Sequence, residues 1–364
     1  MQLPPPVHGQ SIMNQAIQQS KLLNDTFDMC TIPLHFSKLD NLGKAEAKKI
    51  LKMIYYASLL IKKIIFFKPD LIYFTLSPVG FAFYRDCLYV IIIKLFRIPV
   101  VYHLHGKGIK KQSKNKFLKF IYSSVFKHSS VILLSKLLKS DIDEVTSDST
   151  KLFYLPNGIE EKSKLSPNEK YRKSFNNEPI LLFLSNIVKT KGVLVFLEAL
   201  SLLKKKKLPF KAQLVGGISA SVPEKLLYKK IRTNNLENDV KYLGALYGED
   251  KDRVLISSDI FVFPTYKDAF PLVILEAMQV GLPIVSTFEG AIPEMVKNNE
   301  NGFLVKQRDV GDLARKLETL IEQKGNRLKF GQKSFDRFKA FYTLQIFEKN
   351  LTQILTQIVI NNRN

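Results

Sequence analysis

Short apolar runs closed by turn residues alternate along this chain with longer stretches whose apolar positions recur at helical spacing. The clearest case lies between Ile260 and Val296. Ile260 to Phe263 is an apolar run stopped by Pro264, and Leu272 to Val280 carries a helical period. Gly281-Leu282-Pro283 ends that helix, and Ile284 to Thr287 is a second, β-branched run. Strand, helix and strand in that order form a βαβ unit, which requires a parallel sheet.

The same rhythm extends to both sides. Ser11 to Leu23 predicts a first helix, Met29 to Pro33 a strand, Leu71 to Thr75 a buried parallel strand, Phe81 to Phe96 an apolar helix and Val100 to His103 another strand. Val131 to Ser135 and Lys151 to Leu155 close the first half, and Pro156-Asn157-Gly158 signals a turn. Glu160 to Glu178, polar and rich in Lys, Ser and Asn, reads as a linker. The rhythm restarts with strand Pro179 to Ser185, helix Val193 to Leu203, and strands Phe210 to Val215 and Val240 to Leu243. From Asp309 helical patterns dominate, and the aromatic stripe Phe335, Phe338, Phe341 and Phe347 within the final run Phe335 to Ile360 reads as core packing. At 364 residues this implies two doubly wound α/β domains, at 1–160 and 161–344.

Three places carry candidate chemistry. Asp268 and Glu276 flank the start of the helix in the central βαβ unit. If that helix begins near Phe270, the backbone N–H groups of Ala269, Phe270 and Leu272 point into its mouth, where the dipole favours an anion such as a diphosphate. Pro271 donates nothing and suits a first-turn position. Lys189 and Lys191 stand in the loop between a strand and a helix, placed for phosphate oxygens, with Asn186 just before them; Gly216 offers a close backbone approach. In VYHLHGKG, His105 falls at the carboxyl end of a parallel strand, where α/β sheets bind ligands, with His103 and Lys107 beside it.

The spacing of Asp268 and Glu276, followed by EAMQVGLPIVST, GAIPEMV and NGFLV, resembles the donor-binding half of the family-four retaining glycosyltransferases, which have the GT-B architecture of two Rossmann-like domains facing a cleft. The family usually has Glu where Asp268 stands and often Arg where Asn186 stands. The resemblance implies a nucleotide-diphosphate sugar on the second domain, with Glu276 on the ribose hydroxyls, Asp268 by the donor sugar and Lys191 on the departing diphosphate, with no metal or cofactor. It further implies an acceptor on the first domain, His105 crossing to the donor sugar, and a last helix, 345–364, packing back on the first domain. In the family a Pro- and Gly-containing loop such as Met1 to Ser11, with His8 and Gly9, faces the acceptor and follows a first parallel strand. That strand has no counterpart in this sequence, so either the start lies further upstream or the chain is cut, and the first sheet is expected to have a gap.

Charge sharpens the partner question. The formal net charge is +22, mostly lysine and clustered in the first half. Lys44 to Lys68 and Lys110 to Lys127 interleave lysines with Ile50, Leu51, Tyr55, Phe66, Phe117 and Phe120. Basic amphipathic helices with aromatics suit the anionic cytoplasmic face of an inner membrane; the alternative is a sheet-covering helix with a lysine-rich solvent face. No nucleic-acid motif accompanies the charge, so nucleic acid is not expected. No apolar run approaches the roughly 20 residues of a membrane span, and no signal peptide is read at the start. Cys30 and Cys87 lack metal-ligand spacing and read as reduced cytoplasmic thiols, and Asp141-Ile142-Asp143 reads as a solvated helical face. The expected activity is transfer of a sugar to a lipid-linked cell-surface polysaccharide such as lipopolysaccharide or capsule. A degenerate, non-catalytic nucleotide-sugar or membrane-binding scaffold is the alternative, and a nucleotide-sugar epimerase is disfavoured by the EAMQVGLPIVST context.

Overall fold

A computed structural model describes residues 1–5, 8–34, 44–162 and 178–363. Most of the expected linker, 163–177, lies outside the described residues, as does Pro6. The chain forms two compact units, one of Met1–Gly158 with Leu344–Asn364 and one of Ile159–Thr343.

Unit 1 starts with helices α1 (Gly9–Gln19), α2 (Lys21–Thr26) and α3 (Lys44–Phe67). Then come β1 (Ile72–Thr75), α4 (Phe81–Leu95), β2 (Val100–Leu104), α5 (Ile109–Gln112), α6 (Lys116–Phe126), β3 (Ser130–Leu133) and β4 (Lys151–Tyr154). The strands form one parallel sheet in the order β1-β2-β3-β4, with Ile72 opposite Val100 and Thr75 opposite His103. β2 and β3 are buried along their whole length, which is why both read as unbroken apolar runs.

Several boundaries differ from the sequence pattern. The first helical run is interrupted at Ser20, whose extended backbone breaks the helix and whose hydroxyl accepts from the Leu23 N–H to start the next. Met29 to Pro33 forms no strand. Its neighbour is a single residue: the Met1 amino group donates to Ile32 O (2.9 Å), and Leu34 N–H donates to Met1 O (2.8 Å). Between this stretch and β1 lies an apolar cavity of about 670 Å³.

Unit 2 runs β5 (Ile180–Leu184), α7 (Val193–Lys205), β6 (Lys211–Val215), α8 (Glu224–Thr233), β7 (Val240–Tyr242), α9 (Gly248–Ser257) and β8 (Ile260–Phe263). It continues with α10 (Leu272–Gln279), β9 (Ile284–Thr287), α11 (Ile292–Met295), β10 (Gly302–Val305), α12 (Val310–Glu322) and α13 (Lys324–Phe341). Its parallel sheet has the order β10-β9-β8-β5-β6-β7. The core is filled with aromatic and branched side chains; the ring of Phe183 lies 6.3 Å from that of Phe196 and 6.2 Å from that of Phe263. Each such fully buried side chain is worth about 1.5–3 kcal/mol of transfer free energy. The long C-terminal run is two helices, because Tyr342 leaves the helical region and Thr343 bridges Ile159; α14 (Leu344–Arg363) then packs on α2 in unit 1. The aromatic stripe divides with it: Phe338 and Phe347 are buried, whereas Phe341 is half-exposed beneath the Arg337 guanidinium.

Candidate active site

In unit 2 the chain passes from β5 outward to β6 and β7, then returns so that β8 lies on the other side of β5. The two loops leaving the carboxyl ends of β5 and β8 therefore diverge from a common point, the switch position at which open α/β sheets bind ligands. The first loop carries Lys189 and Lys191 in a single 3-10 turn, and the second carries Asp268. Lys191 Nζ donates to Asp268 Oδ2 at 2.5 Å and to Lys267 O at 3.4 Å, and it lies 5.8 Å from the centre of the Phe263 ring. Two residues 77 positions apart thus form one ion pair at the mouth of α10.

The loops are held close by backbone. Tyr266 N–H and the Thr265 hydroxyl both donate to Thr190 O. A Cβ on Gly192, which has φ +86°, would come within 2.1 Å of Pro264 O, so only glycine allows this approach. Asn186 is exposed; beside it, Lys189 N–H donates to the Ser221 hydroxyl, and Gly216 N–H donates to Gly244 O.

α10 begins at Leu272, and Pro271 is its N-cap, one position before the first turn. Among the described residues the N–H groups of Ala269, Phe270 and Leu272 have no acceptor, so the mouth presents open donors. Ala269 and Phe270 are themselves buried. Deeper along α10, Lys251 Nζ donates to Glu276 Oε1 at 2.8 Å, and Glu276 Oε2 is buried without a hydrogen-bond partner. A carboxylate oxygen in that state has the capacity to accept from a ligand hydroxyl.

Two residues that the sequence pattern did not single out set this geometry. Glu289 is buried, accepting from Asp268 N–H (2.9 Å) through Oε1 and from Gln307 Nε2 (2.7 Å) through Oε2. Gly290, at φ +54°, lies where a Cβ would meet Asp268 O at 2.4 Å. The quoted GAIPEMV starts at Gly290, so the glycine was a visible signal, whereas a lone glutamate before it carried none.

In unit 1, His105 follows β2 with its ring centre 4.1 Å from that of His103 and tilted 38° to it, and both His105 ring nitrogens are buried without partners. Burial, followed by the nearby His8, pushes its pKa down to about 3. His103 is fully buried; its Nδ1 is 2.6 Å from the Tyr73 hydroxyl, and burial with His105 alongside holds it well below the ordinary histidine range. His8 and Gly9 do not lie in an open loop. His8 Nδ1 accepts from Ser11 N–H as the N-cap of α1, and Gly9 is its first residue. Asp141 is not a solvated carboxylate but accepts from the N–H groups of Gly108, Ile109 and Lys110, fixing the loop after His105-Gly106; Asp143 pairs with Lys139 at the surface.

Residues 167–337 match the family described as glycosyl transferases group 1. The match covers just under half of the chain, all of it in unit 2. An Erwinia amylovora amylovoran biosynthesis glycosyltransferase, AmsK, is 25% identical over 73% of this chain and 66% of its own length. An Escherichia coli UDP-Gal:alpha-D-GlcNAc-diphosphoundecaprenol alpha-1,3-galactosyltransferase is 28% identical over 64% of this chain and 62% of its own length. The stretches matched thus span just under two thirds of these relatives. Anabaena HepE, solved in complex with UDP, superposes with a TM-score of 0.69 at 21% identity over 83% of this chain and 81% of its own. The fold is accordingly GT-B, with two parallel-sheet units.

Proposed function

We propose that this chain is a group 1 glycosyltransferase that moves a sugar, with retention at the anomeric carbon, from a nucleotide-diphosphate sugar held by unit 2 to a lipid-linked glycan acceptor of a cell-surface polysaccharide. The observation that carries the reading is the mouth of α10, where a lysine, open backbone donors and a carboxylate oxygen free to accept lie at the switch point of the sheet. The likeness to an amylovoran enzyme, to a galactosyltransferase with a diphosphoundecaprenol acceptor, and to a UDP complex supports the classes of donor and acceptor.

In this reading Glu276 Oε2 accepts from a ribose hydroxyl, a charge-assisted bond that a neutral residue cannot replace. The diphosphate takes Lys191 from Asp268, and Asp268 turns to a hydroxyl of the donor sugar. The anomeric C–O bond to the diphosphate breaks as the acceptor oxygen bonds the same face, and the acceptor proton passes to the leaving diphosphate. Lys191 and the open N–H groups stabilise the charge that develops there, and no metal is called for. The reaction occurs at an anionic cytoplasmic membrane surface, which unit 1 meets with the half- or fully exposed Leu51, Tyr55 and Phe66 of α3 and Phe117 and Phe120 of α6, among their lysines. No helix among the described residues is long and apolar enough to cross a membrane.

The test is a thermal-shift screen against UDP, GDP, ADP and CMP. A nucleotide binding only the folded protein adds about 2.7 kcal/mol at 100 times its dissociation constant. Stabilisation by one diphosphate, lost in Glu276→Ala, is expected; silence from every nucleotide with a folded protein would favour a non-catalytic scaffold instead.

A further inference from the structure

The carboxylate of Glu276 does not stand alone. Lys251, in the first turns of α9, donates from Nζ to Glu276 Oε1 at 2.8 Å, while Glu276 Oε2 is buried without a hydrogen-bond partner. The two side chains are 25% and 22% exposed, so the pair is neither solvated freely nor closed to a ligand. An ammonium carries three N–H donors. Among the described residues Glu276 is the acceptor for one of them, and the others are open to a ligand oxygen.

The pair is also held from behind. Asp252, the next residue of α9, accepts from Lys162 Nζ through both oxygens, at 2.9 and 2.7 Å. The Lys162 backbone N–H donates to Gln279 Oε1 (3.0 Å), and Gln279 Nε2 donates to Glu160 O (3.0 Å). Gln279 is buried and lies on α10 one turn beyond Glu276. One short segment, 160–162, therefore ties α9 to α10 and fixes the spacing of ammonium and carboxylate before a ligand arrives. Such preorganisation is what a precise contact requires.

Two opposite charges set side by side read a vicinal diol differently from a carboxylate alone. A carboxylate with both oxygens open accepts one hydroxyl on each. Here Oε1 already receives the ammonium, and Oε2 is the acceptor left over. We infer that Lys251 is a specificity-determining residue of the donor site: one ribose hydroxyl donates to Glu276 Oε2, and the oxygen of its neighbour accepts from Lys251 Nζ. The inference rests on the reading of the α10 mouth as a nucleotide site. Lys251 also cancels the charge of Glu276, so that the carboxylate does not repel the diphosphate bound beside it. Both contacts are charge-assisted, and loss of either costs about tenfold or more in affinity.

The test is calorimetric titration of wild type, Lys251→Met and Lys251→Arg with UDP, or with GDP or ADP where UDP does not bind, and with the 2′-deoxy and 3′-deoxy forms of the same nucleotide. Wild type is expected to bind each deoxy form about tenfold or more weakly. Lys251→Met keeps the reach of the side chain without its charge. It is expected to bind the parent nucleotide about tenfold more weakly and one deoxy form as tightly as the parent, while the other deoxy form keeps its full penalty. Lys251→Arg is expected to restore both penalties. Should the thioether disturb folding, Lys251→Ala makes the same comparison. If removing the lysine weakens all three nucleotides by one factor, or weakens none, both hydroxyls lie on Glu276 and the inference is overturned while the nucleotide site stands. If folded wild type binds no nucleoside diphosphate, the site reading and the inference fall together.

Discussion

The two units share a parallel α/β plan and differ in how completely they carry it out. In unit 2, β8 and β9 are buried throughout, and exposed large apolar residues such as Tyr228, Tyr247 and Phe288 occur singly. In unit 1 the sheet has four strands, a cavity of about 670 Å³ beside its edge, and exposed apolar side chains grouped on α3, α4 and α6. All five histidines of the chain are also in unit 1, and the two at the end of β2 are kept neutral by burial. On the proposed function, the difference is a division of labour. A unit that binds a charged donor by backbone donors and one lysine needs loops fixed to within fractions of an ångström, and a filled core provides that. A unit that meets a lipid surface can leave apolar side chains outside.

The largest effect that would sharpen this contrast is on turnover. Lys191→Ala is expected to cut transfer by about 10²–10³, the loss of one preorganised stabiliser of developing charge, while changing stability by less than about 1 kcal/mol because the pair with Asp268 is only partly buried. Steady-state kinetics beside a melting curve checks it; intact turnover would remove the phosphate role.

Acid should separate the units next. His103 and His105 have folded pKa values below the unfolded value of 6.5, so the folded state excludes protons that the unfolded state binds, and stability is lost as pH falls from about 6.5. Between pH 6.5 and 5 the loss is about 2 kcal/mol for each imidazole held neutral. The Met1 amine, depressed by burial from 8.0 to about 6, starts the decline earlier, between pH 8 and 6. Unit 2 has no histidine, so amide exchange at pH 5 should report opening in β1 to β4 while β5 to β10 stay closed. Equal loosening of both units would break the comparison.

A smaller effect lies in the glycine that supports Asp268. Gly290→Ala places a Cβ against two backbone carbonyls at a positive φ, and a loss of about 1–3 kcal/mol in unit 2 with weakened nucleotide binding is expected from denaturation and titration. Smallest are the surface changes. Phe66→Ser and Phe120→Ser, 77% and 70% exposed, should each weaken binding to anionic vesicles by about tenfold and leave the melting temperature unchanged. Vesicle sedimentation in which both variants match wild type would return these helices to an ordinary solvent role.

Much of the fold was legible because a parallel strand buried on both faces is an unbroken apolar run, and Pro or Gly marks where it stops: Ile260–Phe263 before Pro264 and Ile284–Thr287 after Pro283 have the bounds that the pattern implied. What failed was whatever depended on a distant partner. Met29–Pro33 has strand composition but only one residue to pair with, and the run from Phe335 reads as one helix because nothing local marks the bridge from Thr343 to Ile159. At the site, Lys191 and Asp268 were visible as residues at strand-to-helix loops. Glu289 was not, since its value lies in a hydrogen bond to a backbone N–H 21 positions earlier, and neither was the capping role of Asp141 on a loop 31 to 33 positions before it. His8 was legible as a polar residue in a glycine-containing start but not as a cap.

The most direct test of the account is amide exchange across the whole chain with and without saturating UDP, in wild type and in Glu276→Ala. The account predicts that UDP slows exchange at 189–192 and 268–276 in the wild type, leaves the β1 edge at Tyr73 as fast as before, and does neither more nor less than buffer in Glu276→Ala. Protection appearing in unit 1 instead, or persisting unchanged in Glu276→Ala, would contradict it.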